Sequence, residues 1–268
     1  MKTSNSKRQT GSIFAPKLSD LEKIKVAAVS YLNTKPLLYG VKRHEVMQDI
    51  ELIEDYPSKI AQMLIDGAVD VGLVPVAVIP FLKEYHIVTD YCIGADGPVA
   101  SVCLFSEVPM EEVTKVYLDY QSRTSVMLAT ILLKEYWKSS AELMPAKGED
   151  YRNEIKGTTA GLVIGDRAFE QRLHSKYIYD LADVWKRHTG LPFVFAAWIS
   201  NRKLPDDFIK RFNEANAFGL EHLDEVVFEN RSPYYDLYKY FSHNINYELN
   251  DSKRTALQLF LEKLSKHL

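Results

Sequence analysis

Short runs of β-branched residues alternate with stretches of helical spacing, and this order constrains the fold more than any other feature. Residues 24–29 (IKVAAV), 50–54 and 69–76 predict three strands. Between the first two, Pro36 suits the first turn of a helix. Between the last two, residues 59–66 have an apolar face with helical spacing. A β-α-β-α-β order favours a parallel sheet with helical crossovers.

The middle of the chain repeats this alternation, and the last quarter is helical. Further strands are predicted at 99–105, 115–118, 143–144, 160–164, 177–181 and 193–199. Further helices are predicted at 78–82, at 123–137, after Gly165-Asp166, and at 206–222, 234–241 and 253–264. Two groups of alternating elements followed by helices indicate an α/β fold.

Composition excludes several classes of protein. With 46% hydrophobic residues the chain can bury a full core, and a net charge of −3 lacks the basic excess of nucleic-acid binders. No run of about 18 apolar residues predicts a membrane span. Residues 1–22 are polar and lack the apolar stretch of a signal peptide. We expect a flexible leader, or an added arm packed on the core, on a cytoplasmic protein.

Two cysteines and seven scattered histidines offer no metal site and no redox motif. Cys92 and Cys103 lie in apolar runs, which is typical of packed core thiols, although Cys103 is also near enough to the candidate site to line a pocket. The sequence has no GxGxxG, Walker A or GxSxG motif. We therefore expect no cofactor and no metal. Nothing in the sequence indicates an oligomeric state.

Candidate site residues follow the predicted strands, because ligands of parallel α/β sheets bind where strands end and helices begin. They are Ser30, Tyr31, Asn33, Thr34, Gly97, Pro98, Ser101, Ser122, Arg123, Thr124, Ser125, Gly165 and Asp166. Asn33 and Asp166 have an alternative role as helix caps. The tyrosine-rich stretch 234–241 is more typical of packing than of a cofactor site.

The start of the helix at 123–137 is the strongest single indication of a site. Small hydroxyl residues there leave backbone N–H groups available, and the helix dipole favours an anion. Arg123 adds a guanidinium that can bind a carboxylate through two parallel hydrogen bonds, which we call its grip on the carboxylate. The alternative is an ordinary cap by Ser122 with a solvated Arg123.

Several segments together resemble the chorismate dehydratases of the futalosine route to menaquinone. They are 30–37 (SYLNTKPL), 70–76 (DVGLVPV), 93–101, 119–125 (DYQSRTS), Gly165-Asp166 and 191–195 (LPFVF). The resemblance covers about residues 24–264. A sister enzyme of that route, 1,4-dihydroxy-6-naphthoate synthase, opens instead with a motif of the S-P-C-P-N-D type.

The resemblance implies a type II periplasmic-binding-protein-like fold, with two α/β lobes and a ligand cleft between them. Residues 23–104 and 193–268 would form lobe 1, and residues 105–192 an inserted lobe 2, after the leader at 1–22. The crossings between lobes would lie near 99–105 and 193–199.

The resemblance also implies loss of water from chorismate to give 3-[(1-carboxyvinyl)oxy]benzoate. We expect Asn33 and Ser101 to be catalytic, and the other candidate residues to bind the substrate. The alternatives are the sister synthase and a non-catalytic protein that binds a small anion. A ligand-sensing regulator is a further alternative, but residues 1–22 are too few for a DNA-binding helix-turn-helix.

Overall fold

The structure is a computed structural model that describes residues 23–267. The predicted leader at 1–22 therefore lies outside the described residues. Within the described range, the strands form one sheet of six and one of five.

The strands and helices follow one another in the order predicted for an alternating α/β chain. The strands are β1 (Ile24–Val29), β2 (Ile50–Asp55), β3 (Val71–Pro75), β4 (His86–Ala95), β5 (Val102–Ser106), β6 (Lys115–Leu118), β7 (Glu142–Pro145), β8 (Thr159–Ile164), β9 (Tyr177–Asp180), β10 (Phe193–Ser200) and β11 (Asn246–Glu248). The α-helices are α1 (Lys35–Arg43), α2 (Pro57–Ile65), α3 (Arg123–Glu135), α4 (Asp166–Gln171), α5 (Leu181–Thr189), α6 (Asp206–Glu221), α7 (Leu223–Glu229), α8 (Leu237–Lys239) and α9 (Asp251–Ser265).

The first sheet has the order β11-β4-β10-β3-β1-β2. The strands β1, β2 and β3 are parallel, as the sequence predicts, and β3 is buried along its whole length. The sheet is nevertheless mixed, because β10 runs antiparallel between β3 and β4, and β11 runs antiparallel to β4. Helix α2 packs on β1 and β3, α6 on β4 and α9 on β10, so helices cover the sheet.

The second sheet has the order β7-β6-β8-β5-β9 and is also mixed. The chain leaves the first sheet after Ala95 and joins the second at Val102. It returns after α5, when β10 enters the first sheet. The predicted lobe boundary at residue 104 falls inside β5, which pairs with β8 and β9 of the second sheet. The division into lobes by residue number stays a prediction.

Two glycines bring α1 and α6 into close contact, which fixes the start of α1 next to the site. A Cβ atom on Gly40 would lie 1.8 Å from the carbonyl oxygen of Ala215, and one on Gly219 would lie 1.9 Å from that of Pro36. Only glycine fits at either position, because any side chain would push the helices apart.

Several predicted boundaries were wrong. The strands β4 and β11 and the helices α5 and α7 were not predicted. The strand expected from residue 99 begins at Val102, because residues 96–101 form the connection between the sheets. The helix expected at 234–241 begins only at Leu237, and it continues as a π-helical turn over Tyr240–Asn244.

Across residues 23–267, no helix combines the length and the apolar character needed to cross a membrane.

Candidate functional site

A cavity lies between the two sheets, where β1 and β3 end and α3 begins. It encloses about 620 Å³ of empty space, including the mouth that opens to solvent. The connection from β4 to β5 forms a further wall through Val99 and Ser101.

Eight of the predicted site residues line this cavity. They are Tyr31, Asn33, Thr34, Ser101, Ser122, Thr124, Ser125 and Gly165. The rest of the wall is apolar except for Gln121. Within the described residues, no Lys, Arg, His, Asp or Glu side chain lines the cavity. A ligand here meets hydroxyl, amide and backbone groups without full charges.

Asn33 presents an amide to the cavity with one buried atom left unpaired. It lies in a 3-10 turn, Leu32–Thr34, between β1 and α1. Its Oδ1 is buried and is without a hydrogen-bond partner in the part of the chain that the structure describes. The alternative role as a helix cap was wrong, because Thr34 occupies the cap position of α1 and no side chain caps it. A buried acceptor without a partner is costly, so a ligand with a hydrogen-bond donor at this place would satisfy it.

Ser101 is held at the cavity wall by an unusual turn. Ala100, directly before it, has a φ of 65°, a left-handed conformation that costs a non-glycine residue free energy. The carboxylate of Asp180 accepts the N–H groups of Val99 (3.1 Å) and Ala100 (2.7 Å), and Arg172 donates to the carbonyl of Ala100 (3.2 Å). Burial raises the pKa of Asp180, opposed by these N–H groups.

The hydroxyl of Ser101 has one partner among the described residues. Tyr240, in the π-helical turn, donates to Ser101 Oγ at 2.7 Å, and both side chains are buried. Tyr240 was not predicted as a site residue, because tyrosines at helical spacing are typical of packing. No signal in the sequence separates Tyr240 from its neighbours.

The first turn of α3 forms the opposite wall. Ser122 Oγ accepts the N–H of Ser125 at 3.0 Å, which confirms the predicted cap. Thr124 Oγ1 accepts the N–H of Ala77 at 3.1 Å, and this bond ties α3 to the turn after β3. The remaining N–H groups of the first turn have no acceptor within the helix, and the helix dipole adds partial positive charge. This end of the cavity suits an anionic group.

A charged cluster that was not predicted from the sequence lies behind the wall, on the side of the second sheet. We use this name for Asp119, Tyr120, Glu149, Tyr151 and Arg167. Arg167 Nη2 lies 2.8 Å from Asp119 Oδ2, whose side chain is fully buried, and Nη1 lies 2.8 Å from Glu149 Oε1. Burial opposes the charge of Arg167, but Asp119 raises its pKa above the usual range.

Gln121 connects the charged cluster to the cavity. Its Oε1 accepts from Arg167 at 3.0 Å, and it also accepts a short hydrogen bond from the hydroxyl of Tyr31. Burial raises the pKa of Tyr31 to about 12, against the opposing charge of Arg167, so its hydroxyl remains a donor at neutral pH. Because Tyr31 follows β1 and Gln121 follows β6, this bond joins the two sides of the cavity.

Five predicted residues do not line the cavity. Ser30 is exposed beside Lys35, Pro98 is exposed, and Gly97 is buried in the connection before Ser101. Arg123 is exposed, because Thr124 and Ser125 take the buried side of the first turn of α3. The predicted grip of Arg123 on a carboxylate is therefore not formed at the cavity wall.

Asp166, the fifth, directly follows Gly165 of the cavity wall. Its Oδ1 accepts the N–H of Leu32 at 3.4 Å, a second link between the two sides. It does not cap α4, whose cap position belongs to Gly165. The residue has exposed surface, yet the protein around its carboxyl group raises the pKa through desolvation, against the Leu32 N–H and the charges of Lys35 and Arg167.

Within residues 23–267, no group of three or more His, Cys, Asp or Glu side chains could hold a metal ion. Cys103 is fully buried, and it belongs to a cluster with Phe105 and Val163 and is not part of the cavity wall. Burial raises the pKa of its thiol well above the usual range.

Solved structures with the same architecture identify the class of fold. A protein of Archaeoglobus fulgidus matches with a TM-score of 0.74 at 17% identity, over 91% of this chain and 97% of that one. A Candida albicans protein described as exhibiting the generic periplasmic binding protein structural fold matches with a TM-score of 0.59 at 13% identity, over 92% and 91%. The chain has this fold, so the predicted fold class is confirmed.

The sequence identifies the family. A family model described as menaquinone biosynthesis matches residues 24–266, and the chain belongs to that family. A curated relative, the chorismate dehydratase of Thermus thermophilus, is 27% identical over 259 residues, which cover 87% of this chain and 92% of the relative.

Proposed function

We propose that this protein is a chorismate dehydratase, a hydro-lyase that converts chorismate into 3-[(1-carboxyvinyl)oxy]benzoate. The observation that carries the proposal is the cavity, in which Asn33, Ser101 and the first turn of α3 face one space. Membership of the menaquinone biosynthesis family and the likeness to the Thermus enzyme support it.

The proposed reaction needs only the groups that the cavity offers. The hydrogen on C3 of chorismate is vinylogous to the ring carboxylate, so its removal as a proton spreads the electron pair of the C3–H bond into that carboxylate. The C4–O bond then breaks, the hydroxyl leaves with a proton as water, and the ring becomes aromatic. Aromatisation drives the reaction without a redox change. The protein has to hold a dianion, stabilise the developing charge and exclude water.

The first turn of α3 would hold one carboxylate. Its free N–H groups and the hydroxyls of Ser122, Thr124 and Ser125 are the groups of the cavity most suited to an anion. Asn33 would bind from the opposite side, where its unpaired Oδ1 would accept a hydrogen bond from the hydroxyl group of the substrate. Ser101 would lie near the reacting carbons and orient the substrate.

The base that removes the C3 proton is, in this proposal, the enolpyruvyl carboxylate of the substrate itself. This assignment is supported by the lack of a carboxylate or imidazole among the described residues of the cavity wall. A chorismate analogue without that carboxylate tests it. Undiminished turnover of the analogue would disprove the assignment.

The experiment that tests the function mixes the purified protein with chorismate and no added cofactor. Chromatography and mass spectrometry then follow the products. Loss of one water with a benzoate-type spectrum is the expected result. Chorismate that binds, by calorimetry, but stays unchanged would favour the non-catalytic binding protein. Absence of both turnover and binding would favour the sister synthase.

Alanine substitutions test the assigned roles. We expect Asn33→Ala and Ser101→Ala each to lower kcat by about 100-fold, the usual loss for one group that stabilises a developing charge. Retained activity in either variant would remove that residue from the catalytic set.

A further inference from the structure

The hydrogen bond between Tyr240 and Ser101 has a direction that the surroundings decide. Each hydroxyl has one hydrogen and can also accept. Tyr240 is fully buried, and among residues 23–267 the only hydrogen-bond partner of its hydroxyl is Ser101. The hydroxyl hydrogen of Ser101, in contrast, has the cavity available to it. Donation from Tyr240 to Ser101 therefore satisfies both groups, whereas the reverse would leave the Tyr240 hydrogen buried without an acceptor.

The ring of Tyr240 is fixed by its neighbours. Phe169 meets it edge to face, with ring centroids 4.9 Å apart, and Phe169 also stacks on Tyr235 at 4.6 Å. The main chain around Tyr240 is a π-helical turn, a rare conformation that occurs frequently at functional sites. The hydroxyl of Tyr240 thus has a defined position relative to Ser101.

The same segment of the chain also holds the other proposed catalytic residue. Tyr247 donates its hydroxyl hydrogen to the carbonyl of Asn33 at 2.9 Å, and Asn244 donates to the carbonyl of Pro98 at 3.0 Å. Residues 240–247 therefore contact both proposed catalytic residues: the side chain of Ser101 and the backbone of Asn33.

We propose that Tyr240 is a positioning residue for catalysis: it donates to Ser101 Oγ, so that the Ser101 hydroxyl hydrogen points into the cavity toward the reacting carbons. This inference rests on the proposed function. Burial raises the pKa of Tyr240, so its hydroxyl stays a donor across the range of an ordinary assay.

Tyr240→Phe tests the proposal, because it removes the hydroxyl and keeps the ring. We expect kcat for chorismate dehydration to fall about 10-fold, with KM within about twofold, since one hydrogen bond of about 1.4 kcal/mol corresponds to a factor of ten. The matched control is Tyr179→Phe. Tyr179 also makes one hydroxyl hydrogen bond, with the N–H of Met110, and it does not line the cavity. The control should keep the wild-type kcat.

A double-mutant cycle separates positioning from a structural effect. In a Ser101→Ala background, Tyr240→Phe should change kcat by less than about twofold, because its partner hydroxyl is already gone. Melting temperatures of all variants check folding, and Tyr240→Met replaces the phenylalanine variant if that variant does not fold.

Three outcomes overturn the inference in distinguishable ways. Wild-type kcat in Tyr240→Phe, with an active wild type, disproves only the role of Tyr240. An equal loss in the presence and absence of the Ser101 hydroxyl shows that Tyr240 does not act through Ser101. A wild-type protein that binds or ignores chorismate without dehydrating it disproves the proposed function, and the role of Tyr240 with it.

Discussion

The cavity wall and the charged cluster behind it lie side by side, yet they are built from different chemistry. The wall offers amides, hydroxyls and helix N–H groups, whereas the cluster contains Asp119, Arg167 and Glu149 in direct ion pairs. Gln121 links the two, by accepting from both Arg167 and Tyr31. The comparison suggests a division of roles, in which charges hold the wall in place and neutral groups meet the ligand.

This division is consistent with the proposed reaction. A lysine or arginine against a substrate carboxylate would stabilise its charged form and make it a weaker base. Neutral donors orient the carboxylate with a smaller loss of basicity. The charged cluster, set back from the cavity, supplies rigidity without that cost.

The largest expected effect comes from placing a charge in the neutral wall. Asn33→Asp should lower kcat/KM by about 1000-fold, because it adds a carboxylate beside an anionic substrate and removes the amide donor. Steady-state kinetics with chorismate measure this. Asn213→Asp, on α6 beside Asp90, is the control and should be close to wild type. A loss below tenfold in Asn33→Asp would show that this amide does not face the substrate.

A slightly smaller effect is expected from breaking the buried ion pair. Asp119→Asn leaves Arg167 without its buried partner, so the free energy of unfolding should fall by about 3 kcal/mol. Urea denaturation measures it. Asp207→Asn removes an exposed partner of Arg211 and should cost under about 0.5 kcal/mol. Equal losses in the two variants would contradict a stabilising role for the charged cluster.

Glu149, at the outer edge of the cluster, should contribute little to the free energy of unfolding, and only above acidic pH. Burial opposes the charge of Glu149, but the Tyr120 hydroxyl and Arg167 lower its pKa below the usual 4.5. A carboxyl group with a lowered pKa stabilises the fold above its ordinary pKa, and the contribution is lost as the pH falls through the lowered value. Glu149→Gln should cost about 0.5 kcal/mol at pH 7. Urea denaturation in an acidic series should show this difference shrinking below pH 4.5; a constant difference would exclude the ionic cause.

The smallest effect concerns the pH dependence of activity, since the cavity wall is neutral. From about pH 6.5 to 9, kcat/KM should change by less than about twofold, because the described wall has no group that titrates there and the pKa of Tyr31 is raised to about 12. Initial rates across this range measure it. A loss of activity toward acidic pH would indicate a protein base. Asp166 would then be the first candidate, and Asp166→Asn should abolish the acidic limb.

Local sequence signals predicted the parts of the fold that depend on local physics. The β1-α1-β2-α2-β3 order and the Ser122 cap are confirmed, because strand runs, helical spacing and capping act within a few residues. Strand β4 was missed, since HIVTDYCIGA mixes polar and apolar residues without clear alternation. The three residues of β11 are too few to give a pattern.

The candidate site was predicted in outline by the rule that ligands bind at strand ends, and Asn33 and Ser101 do line the cavity. Their catalytic roles stay predictions. The charged cluster could not be predicted from the sequence, because Asp119 and Arg167 are 48 positions apart and meet only through the pairing of β6 with β8. The contact between Tyr240 and Ser101 spans 139 positions and follows from the return of the chain to the first sheet.

The left-handed turn at Ala100 determines when the Ser101 side chain becomes ordered. The chain accepts an unfavourable conformation there, and Asp180 and Arg172 maintain it. The Ser101 hydroxyl is therefore preorganised, with its place set during folding and before any molecule enters. When the hydrogen-bonding group of the protein is already immobilised, a ligand binds without the entropy cost of ordering it. The strained main chain at Ala100 therefore increases the affinity of the cavity.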